Sequence, residues 1–271
     1  MTDFAYFGGI DFSGAKEPLA NLWTAVGTEK DGKLHVLSLC PHPFRADLAA
    51  FVGGGWRKHC GCEGGDETIL WGADFPFGIP AEAARRIAGE RPATWAGVAA
   101  WIADRPADEV REPYMDLQKA LRCTDTGGAL APFDMRLYRQ TVEGIRWLHE
   151  LREEGAVSIL PAAPAGGATT TLIEVYPSGA AKELGLKGSR VPSRPGEVRA
   201  RPAGLRPFMT FAHPSLEAIA VTLEDARDAC IAALVAFLCR ADLDQPRRLG
   251  RAPEEAIALE GWIYRPPAAL G

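Results

Sequence analysis

Short apolar runs alternate with polar turns over the first 75 residues of the chain and predict four β-strands. The predicted strands cover residues 5–11, 21–27, 33–39 and 68–76. In the third of these, KLHVLSL, apolar and polar side chains alternate, which indicates a strand with one exposed face. Asp31-Gly32 lies between the second and third strands, and this dipeptide favours a tight β-hairpin.

A helical periodicity replaces this alternation further along the chain. Residues 46–58 predict a helix that is weakened by Gly53–Gly55. Residues 80–153 form a long helical region, in which Thr94 is an expected N-cap. Within it, residues 135–152 carry an apolar stripe at helical spacing that consists of Leu137, Val142, Ile145, Leu148 and Leu151.

Strands and helices are mixed along the chain in a way that predicts one α/β domain. Residues 171–176 (TLIEVY) predict a further strand, and a final long helix is expected from near Asp225 to about residue 240. The order β-β-β-α-β, then helices, then β and α, indicates a mixed sheet with flanking helices. We expect residues 80–165 to form a helical insertion within this single domain, which spans residues 1–271.

The composition is that of an ordinary globular protein, with 47% hydrophobic residues, 24% charged residues and a net charge of −5. This overall charge is not that of a basic nucleic-acid-binding protein, although an acidic metal site can lie within a locally basic channel. The N-terminus lacks the pattern of a cleaved leader, and the longest apolar run, residues 229–239, is too short to span a membrane. A cytoplasmic protein that does not bind membranes is therefore expected.

Six cysteines are expected to be free thiols, because large cytoplasmic chains seldom use disulfides. Five cysteine and histidine residues fall within two short segments: Cys40, His42, His59, Cys60 and Cys62. They could form a small zinc site or an ordinary loop. The C-x-H and C-x-C spacings are tighter than the usual C-x₂₋₄-C pattern, so we predict that this cluster holds no metal.

Acidic residues stand at the ends of two predicted buried strands, Asp11 after YFGGI and Asp74 after TILWGA. A buried carboxylate is costly unless it is paired, hydrogen-bonded or bound to a metal, and ligands of open α/β sheets collect at strand ends. Asp225 and Asp228 lie three residues apart at the start of the last helix, which places both on one helix face. Glu174 is a further acid, within the strand TLIEVY.

These acids also have structural interpretations. Asp225 could cap its helix and interact with the helix dipole, a role for which Asp228, inside the helix, is less suited. Glu174 could point to the exposed face of the sheet. If the acids converge instead, their oxygen atoms suit Mg²⁺ or Mn²⁺, and two such ions can promote the cleavage of a phosphodiester bond.

The segments GIDFSGAK, GADFPFGIP, IEVYPSGAAKELG and DARDACIAAL resemble, in order and spacing, the landmarks of the DUF429 family. That family consists of predicted nucleases with a ribonuclease H-like fold. The resemblance covers most of the chain and is weak over residues 80–165. It implies a five-stranded mixed sheet with the first strand central. It also implies that Asp11 lies on this strand, Asp74 at the end of the neighbouring fourth strand, and Asp225 and Asp228 on the last helix. Together with the chemistry of the acids, this predicts a metal-dependent hydrolase in which Asp11, Asp74 and Asp228 bind Mg²⁺ or Mn²⁺, with Glu174 and Asp225 as further catalytic acids.

Two segments are candidates for contact with a nucleic-acid substrate. Ser13, Gly14 and Lys16 follow Asp11 and could hold a phosphate group. Residues 187–207 are rich in proline and glycine, and we expect them to be mobile. This segment carries Arg190, Arg194, Arg199, Arg201 and Arg206. Arg199 and Arg201 are our main candidates for substrate binding, and the alternative is a solvated linker.

Two other functions fit parts of the same pattern. GIDFSGAK is also close to the phosphate-binding hairpin of actin-like and sugar-kinase-type ATP-binding phosphotransferases. That architecture needs two copies of the domain, whereas one such hairpin is found in this sequence. The second alternative is a non-catalytic ribonuclease H-like binding module, in which the acids are structural. Stabilisation by Mg²⁺ or Mn²⁺ would argue against the binding module.

Overall fold

The computed structural model describes residues 3–15, 21–63, 65–125, 128–155, 157–186, 204–249 and 252–267. Within these ranges, eight strands form one open sheet. The strands are β1 (Tyr6–Asp11), β2 (Trp23–Lys30), β3 (Lys33–Pro41), β4 (Ile69–Asp74), β5 (Val157–Leu160), β6 (Thr170–Val175), β7 (Met209–Phe211) and β8 (Ile263–Tyr264). Their order is β5-β6-β4-β1-β2-β3-β7, and β8 pairs with β6.

The sheet is mixed, as the sequence predicts, and β1 lies near its centre. β2 runs antiparallel to β1 and to β3, and the other pairings are parallel. Asp31 and Gly32 form the turn between β2 and β3 with φ values of 54° and 74°. These left-handed values are those of a tight two-residue hairpin, so the predicted hairpin is confirmed.

The expectation of five strands is wrong, because β5, β7 and β8 also join the sheet. These strands have four, three and two residues. Segments this short show no alternating pattern that could separate them from loops. These strands form because they pair with neighbouring strands, and such pairing is a long-range effect.

Helices flank the sheet. They are α1 (Arg45–Ala50), α2 (Trp56–Cys60), α3 (Ala81–Ala88), α4 (Trp95–Ala103), α5 (Ala107–Arg111), α6 (Tyr138–Glu153), α7 (Pro177–Glu183), α8 (Pro214–Thr222), α9 (Glu224–Cys239), α10 (Gln245–Leu249) and α11 (Glu254–Glu260). A π-helical segment, Phe51–Gly55, joins α1 to α2, and a 3₁₀ segment, Glu112–Leu117, follows α5. In none of the described ranges does a helix have the length and hydropathy needed to cross a membrane.

Local features of the helices agree with the sequence. The amide of Gly97 lies 3.1 Å from Thr94 Oγ1, so Thr94 caps α4 as predicted. The predicted helix over residues 46–58 is interrupted where the three glycines lie, and Gly54 has a φ of 156°. Glycine disfavours the helix interior, which explains the interruption.

The two faces of the sheet have separate apolar cores. On one face, buried tryptophans Trp56, Trp71 and Trp147 pack together with side chains from α3, α4 and α6. On the other face, α9 packs against β1, β2 and β4. This helix is buried along almost its whole length. It fixes where the acids at its start lie relative to the strand ends.

Candidate active site

Asp11 and Asp74 occupy matching positions at the carboxyl ends of neighbouring strands. β1 and β4 run parallel, and their register pairs Asp11 directly with Asp74. Paired residues of adjacent strands point to the same face, so the two carboxylates lie side by side. Both are half-buried at the end of otherwise buried strands. This is the edge at which ligands of open α/β sheets collect.

The backbone of helix α9 lies very close to the backbones of β1 and β4, because each strand carries a glycine beneath the helix. A Cβ atom on Gly9 would lie 2.0 Å from the carbonyl oxygen of Ala229. A Cβ atom on Gly72 would lie 2.5 Å from the carbonyl oxygen of Ala232. Neither position has room for a side chain. The two glycines therefore allow the start of α9 to reach the ends of the strands.

The first turns of α9 bring two further acids to this edge. The N-cap residue is Leu223, and its side chain makes no capping bond, so the interpretation of Asp225 as the N-cap is wrong. Asp225 lies in the first turn, where a carboxylate interacts favourably with the helix dipole. It lines the same cleft as Asp11 and Asp74.

The charges of these acids act on one another. Burial raises the pKa of Asp11 well above its ordinary value, and the charges of Asp74, Asp228, Asp225 and Glu224 raise it further. Burial also raises the pKa of Asp74 well above its ordinary value, with a further contribution from Asp228. The structure therefore brings Asp11, Asp74, Asp225 and Asp228 into one electrostatically coupled group.

The pKa values of the two acids on α9 are also raised. Burial raises the pKa of Asp228 to about 6, although the neighbouring Arg227 opposes this shift. Burial raises the pKa of Asp225 as well. Carboxylates that are buried near like charges cannot all stay ionised at low cost unless a cation joins them.

None of these four aspartate side chains has a salt-bridge or hydrogen-bond partner within the ranges the structure describes. In the same ranges, no group of three or more His, Cys, Asp or Glu side chains is arranged as a preformed metal site. The donor chemistry fits a hard divalent cation, since several carboxylates share one region without a salt-bridge partner. Binding would require their oxygen atoms to turn toward a common centre.

Helix α6 forms a wall of the cleft beside the strand ends. Gln140 Nε2 donates a hydrogen bond to the backbone carbonyl of Asp74, with a distance of 2.6 Å. A Cβ atom on Gly14 would lie 2.2 Å from the backbone nitrogen of Gln140. The helix therefore contacts both the end of β4 and the loop after β1, which fixes the two acids relative to α6.

The cleft has a volume of about 460 Å³ and is also lined by two arginines near the start of α6, Arg136 and Arg139. Arg136 Nε lies 3.1 Å from Asp134 Oδ1, and Arg139 Nη2 lies 3.0 Å from Asp108 Oδ2. Exposed ion pairs of this kind are weak, so both guanidinium groups are available to an anionic ligand. Our sequence reasoning missed them, although RLYRQ places two arginines three residues apart.

Ser13, one of the predicted substrate-binding residues, lines this cleft, and its role stays a prediction. Its hydroxyl accepts a hydrogen bond from the Ala15 amide at 3.2 Å. Arg45 Nη2 donates to the backbone carbonyls of Ser13 and Ala15, at 3.3 and 2.5 Å. The loop after β1 is therefore held by α1 as well as by α6.

The other predicted substrate contacts cannot be placed. Lys16, Arg199 and Arg201 lie outside the described residues, as does most of the segment 187–207 that we expect to be mobile. Arg206, near the end of that segment, forms a salt bridge with Glu217, with 2.6 Å between Nε and Oε1.

Glu174 differs from the other predicted acids, because it has a cationic partner. It is 2% exposed, so the interpretation that it points to solvent is wrong. Arg122 Nη1 lies 2.8 Å from Glu174 Oε2, and Arg122 Nη2 contacts the other carboxylate oxygen. The amide of Phe77 donates a third hydrogen bond at 2.9 Å. This arrangement favours a structural role for Glu174, while its catalytic role stays a prediction.

The cysteine and histidine residues are divided between different partners. Cys40 Sγ lies 3.7 Å from His59 Nδ1, whereas His42 Nε2 lies 2.8 Å from Thr24 Oγ1. Burial lowers the pKa of His42 to about 4, which keeps its imidazole neutral. All six cysteines are free thiols. The prediction that this cluster holds no metal stays a prediction.

Comparison of the chain with family models, with curated proteins and with solved structures finds no match.

Proposed function

We propose that this protein is a divalent-metal-dependent hydrolase that cleaves phosphodiester bonds in nucleic acid. The observation that carries the proposal is the register of Asp11 and Asp74. These two half-buried carboxylates lie side by side at adjacent strand ends and have raised pKa values. No cationic side chain within the described ranges pairs with them. The resemblance to the DUF429 family and its ribonuclease H-like fold points to the same activity.

The chain supplies distinct parts of such a site. Asp11, Asp74 and Asp228 would hold Mg²⁺ or Mn²⁺, and Asp225 would contribute negative charge at the rim. The bound ions would activate water and stabilise the leaving oxygen atom. Gln140 fixes the end of β4 through the carbonyl of Asp74. This bond fixes the backbone at the end of β4 relative to α6, which forms a wall of the cleft.

Binding of a polyanion in an acidic protein requires a local positive surface. Arg136 and Arg139 provide two exposed guanidinium groups in the cleft that contains the acids. Arginine suits phosphate groups because its planar fork donates two parallel hydrogen bonds. These residues would position the substrate backbone without reading its sequence.

The test combines thermal unfolding with cleavage assays. We expect Mn²⁺ to raise the Tm of the wild type, because a ligand that binds only the folded state stabilises it by about 2.7 kcal/mol at 100 times its Kd. Asp11→Asn removes a ligand charge and should abolish both the Mn²⁺-induced shift and the cleavage of single-stranded, duplex or branched DNA and RNA. Asp66→Asn changes an exposed acid outside the cleft and is the matched control.

Two outcomes would replace the proposal. A wild type that shows no Mn²⁺-induced shift and no cleavage, but is stabilised by ATP, would be an actin-like or sugar-kinase-type phosphotransferase. A wild type that responds to none of these ligands would be a binding module with structural acids.

A further inference from the structure

A second, smaller pocket lies on the other side of Asp74 and Gln140 from the acidic cleft. It has a volume of about 210 Å³, and its walls include Phe75, Leu130, Leu137 and Tyr176. We call it the side pocket. Asp74 and Gln140 line both the side pocket and the acidic cleft, so the two spaces share a wall. A ligand held at the acids could therefore place a neighbouring group in the side pocket.

The floor of the side pocket is unsuited to an anion. Arg122, Glu174 and Asp125 line it, and one guanidinium group faces two carboxylates. Arg122 Nε lies 3.0 Å from Asp125 Oδ1, and Nη1 lies 2.8 Å from Glu174 Oε2. Nη1 also donates to the carbonyl oxygens of Gly78 and Glu260, at 3.5 and 2.6 Å. The positive charge is therefore fully engaged, and with both acids ionised the floor keeps one excess negative charge.

The walls suit a flat and largely apolar group. Phe75 is 2% exposed, and Leu130, Leu137 and Tyr176 are half-buried. The Tyr176 ring packs directly over Gly179, where a Cβ atom would lie 2.5 Å from it. Aromatic and aliphatic walls of this kind favour stacking of a planar ring.

The size of the side pocket limits which ligands it can hold. Whole ligands of drug size occupy pockets of roughly 300–1,000 Å³, which is more than the space available. The side pocket therefore fits one ring system and not a whole nucleotide. A neutral planar ring matches the apolar walls and a floor whose charged groups are buried and already hydrogen-bonded to one another. Nucleobases have this chemistry, and they are attached to the phosphodiester that the acids would hold.

We propose that the side pocket binds a single unpaired nucleobase next to the phosphodiester at the acids. This inference rests on the proposed function and deepens it, because it specifies the substrate class. A base that is paired and stacked within a duplex cannot enter the pocket, so it must be unpaired or extruded. The substrate is therefore single-stranded nucleic acid, or a strand with an unpaired nucleotide.

The test compares the affinity of the protein for two fluorescently labelled strands of equal length and charge. Binding is measured by fluorescence anisotropy in the presence of Ca²⁺. One is an ordinary single-stranded oligodeoxynucleotide, and the other consists only of tetrahydrofuran abasic units. We expect the wild type to bind the ordinary strand at least about fivefold more tightly, because stacking of one base supplies that difference. Leu130→Trp fills the pocket and should remove the preference. Leu121→Trp, at an exposed leucine outside the pocket, should keep it.

Tyr176→Ala is the second variant, because it widens the pocket and also removes a stacking wall. Equal affinity of the wild type for both strands, or no binding of either, would overturn the inference. So would a preference for the ordinary strand that persists in both pocket variants. The Mn²⁺-induced Tm shift and cleavage by the wild type are measured in parallel. If these are present while the base preference is absent, the side-pocket inference fails and the proposed function stands.

Discussion

Arg122 and Glu174 form a buried ion pair next to the strand ends, with 2.8 Å between Arg122 Nη1 and Glu174 Oε2. Both side chains are almost fully buried. The register of the sheet pairs Glu174 with Ala73, so this acid lies on the strand next to Asp74. The same edge of the sheet thus contains one carboxylate with a cationic partner and a group of aspartates without one.

This difference predicts opposite effects of two neutralising substitutions. Glu174→Gln should lower stability by roughly 1.5–3 kcal/mol, because it weakens the charge-assisted hydrogen bonds between this side chain and Arg122, while Asp125 still pairs with the buried guanidinium group. Asp74→Asn should raise the Tm of the metal-free protein, because it removes a carboxylate charge that has no cationic partner. Asp116→Asn, which breaks an exposed pair with Arg86, is the control and should change the Tm little. A stabilising Glu174→Gln, measured by thermal unfolding in EDTA, would contradict the structural role.

The pKa of Asp228 predicts a pH dependence of stability. Its folded-state pKa of about 6 lies above its unfolded value, so the folded state binds the proton more tightly. The resulting stabilisation is complete below about pH 4 and is lost as the pH rises through about 6. The pKa values of Asp11 and Asp74 are raised as well, chiefly by burial, so these two groups add to the loss of stability as the pH rises.

The measurement is urea unfolding from pH 4 to pH 8 in EDTA, for the wild type and for Asp228→Asn. We expect the variant to gain stability relative to the wild type as the pH rises. The difference between the two proteins removes the contributions of other groups, such as Asp108, whose pKa is lowered chiefly by its hydrogen bond with Tyr138. A difference that does not change with pH would show that Asp228 does not titrate in this range.

The close contact between Gly9 and α9 predicts a specific packing effect. Gly9→Ala would place a methyl group 2.0 Å from the Ala229 carbonyl oxygen and force α9 away from β1. We expect a loss of about 1–3 kcal/mol, typical of overpacking, together with a smaller Mn²⁺-induced Tm shift. Gly53→Ala is the control, because nothing lies within 4 Å of that Cβ position. A Gly9→Ala protein with unchanged stability and an unchanged Mn²⁺ response would refute this account of the site.

Arg136 and Arg139 should affect substrate affinity more than stability. Each Arg→Gln variant is expected to weaken the binding of single-stranded DNA in Ca²⁺. The slope of log K against the logarithm of the salt concentration should become shallower by about 1. Arg91→Gln removes an exposed arginine that does not line the cleft and should leave both quantities unchanged. Unchanged affinity and salt dependence in both cleft variants would exclude this surface as the phosphate-binding site.

The local elements of this protein can be predicted from short stretches of its sequence. The long strands, the Asp31-Gly32 hairpin and the Thr94 cap follow from apolar patterning, turn chemistry and capping, which act over a few residues. Asp11 and Asp74 could be identified in the same way, because each is the acid that ends an apolar run. These features depend on neighbours in the chain, so the sequence contains them directly.

Which acids share a site depends on long-range packing. Glu174 acquires its partner from Arg122, 52 residues away, and no local pattern relates the two. The short strands β5, β7 and β8 exist because longer strands offer them hydrogen bonds, and α9 reaches the strand ends because Gly9 and Gly72 leave room for it. Each of these contacts joins residues that are distant in sequence. Their presence depends on packing and register, which the order of residues along one segment does not specify.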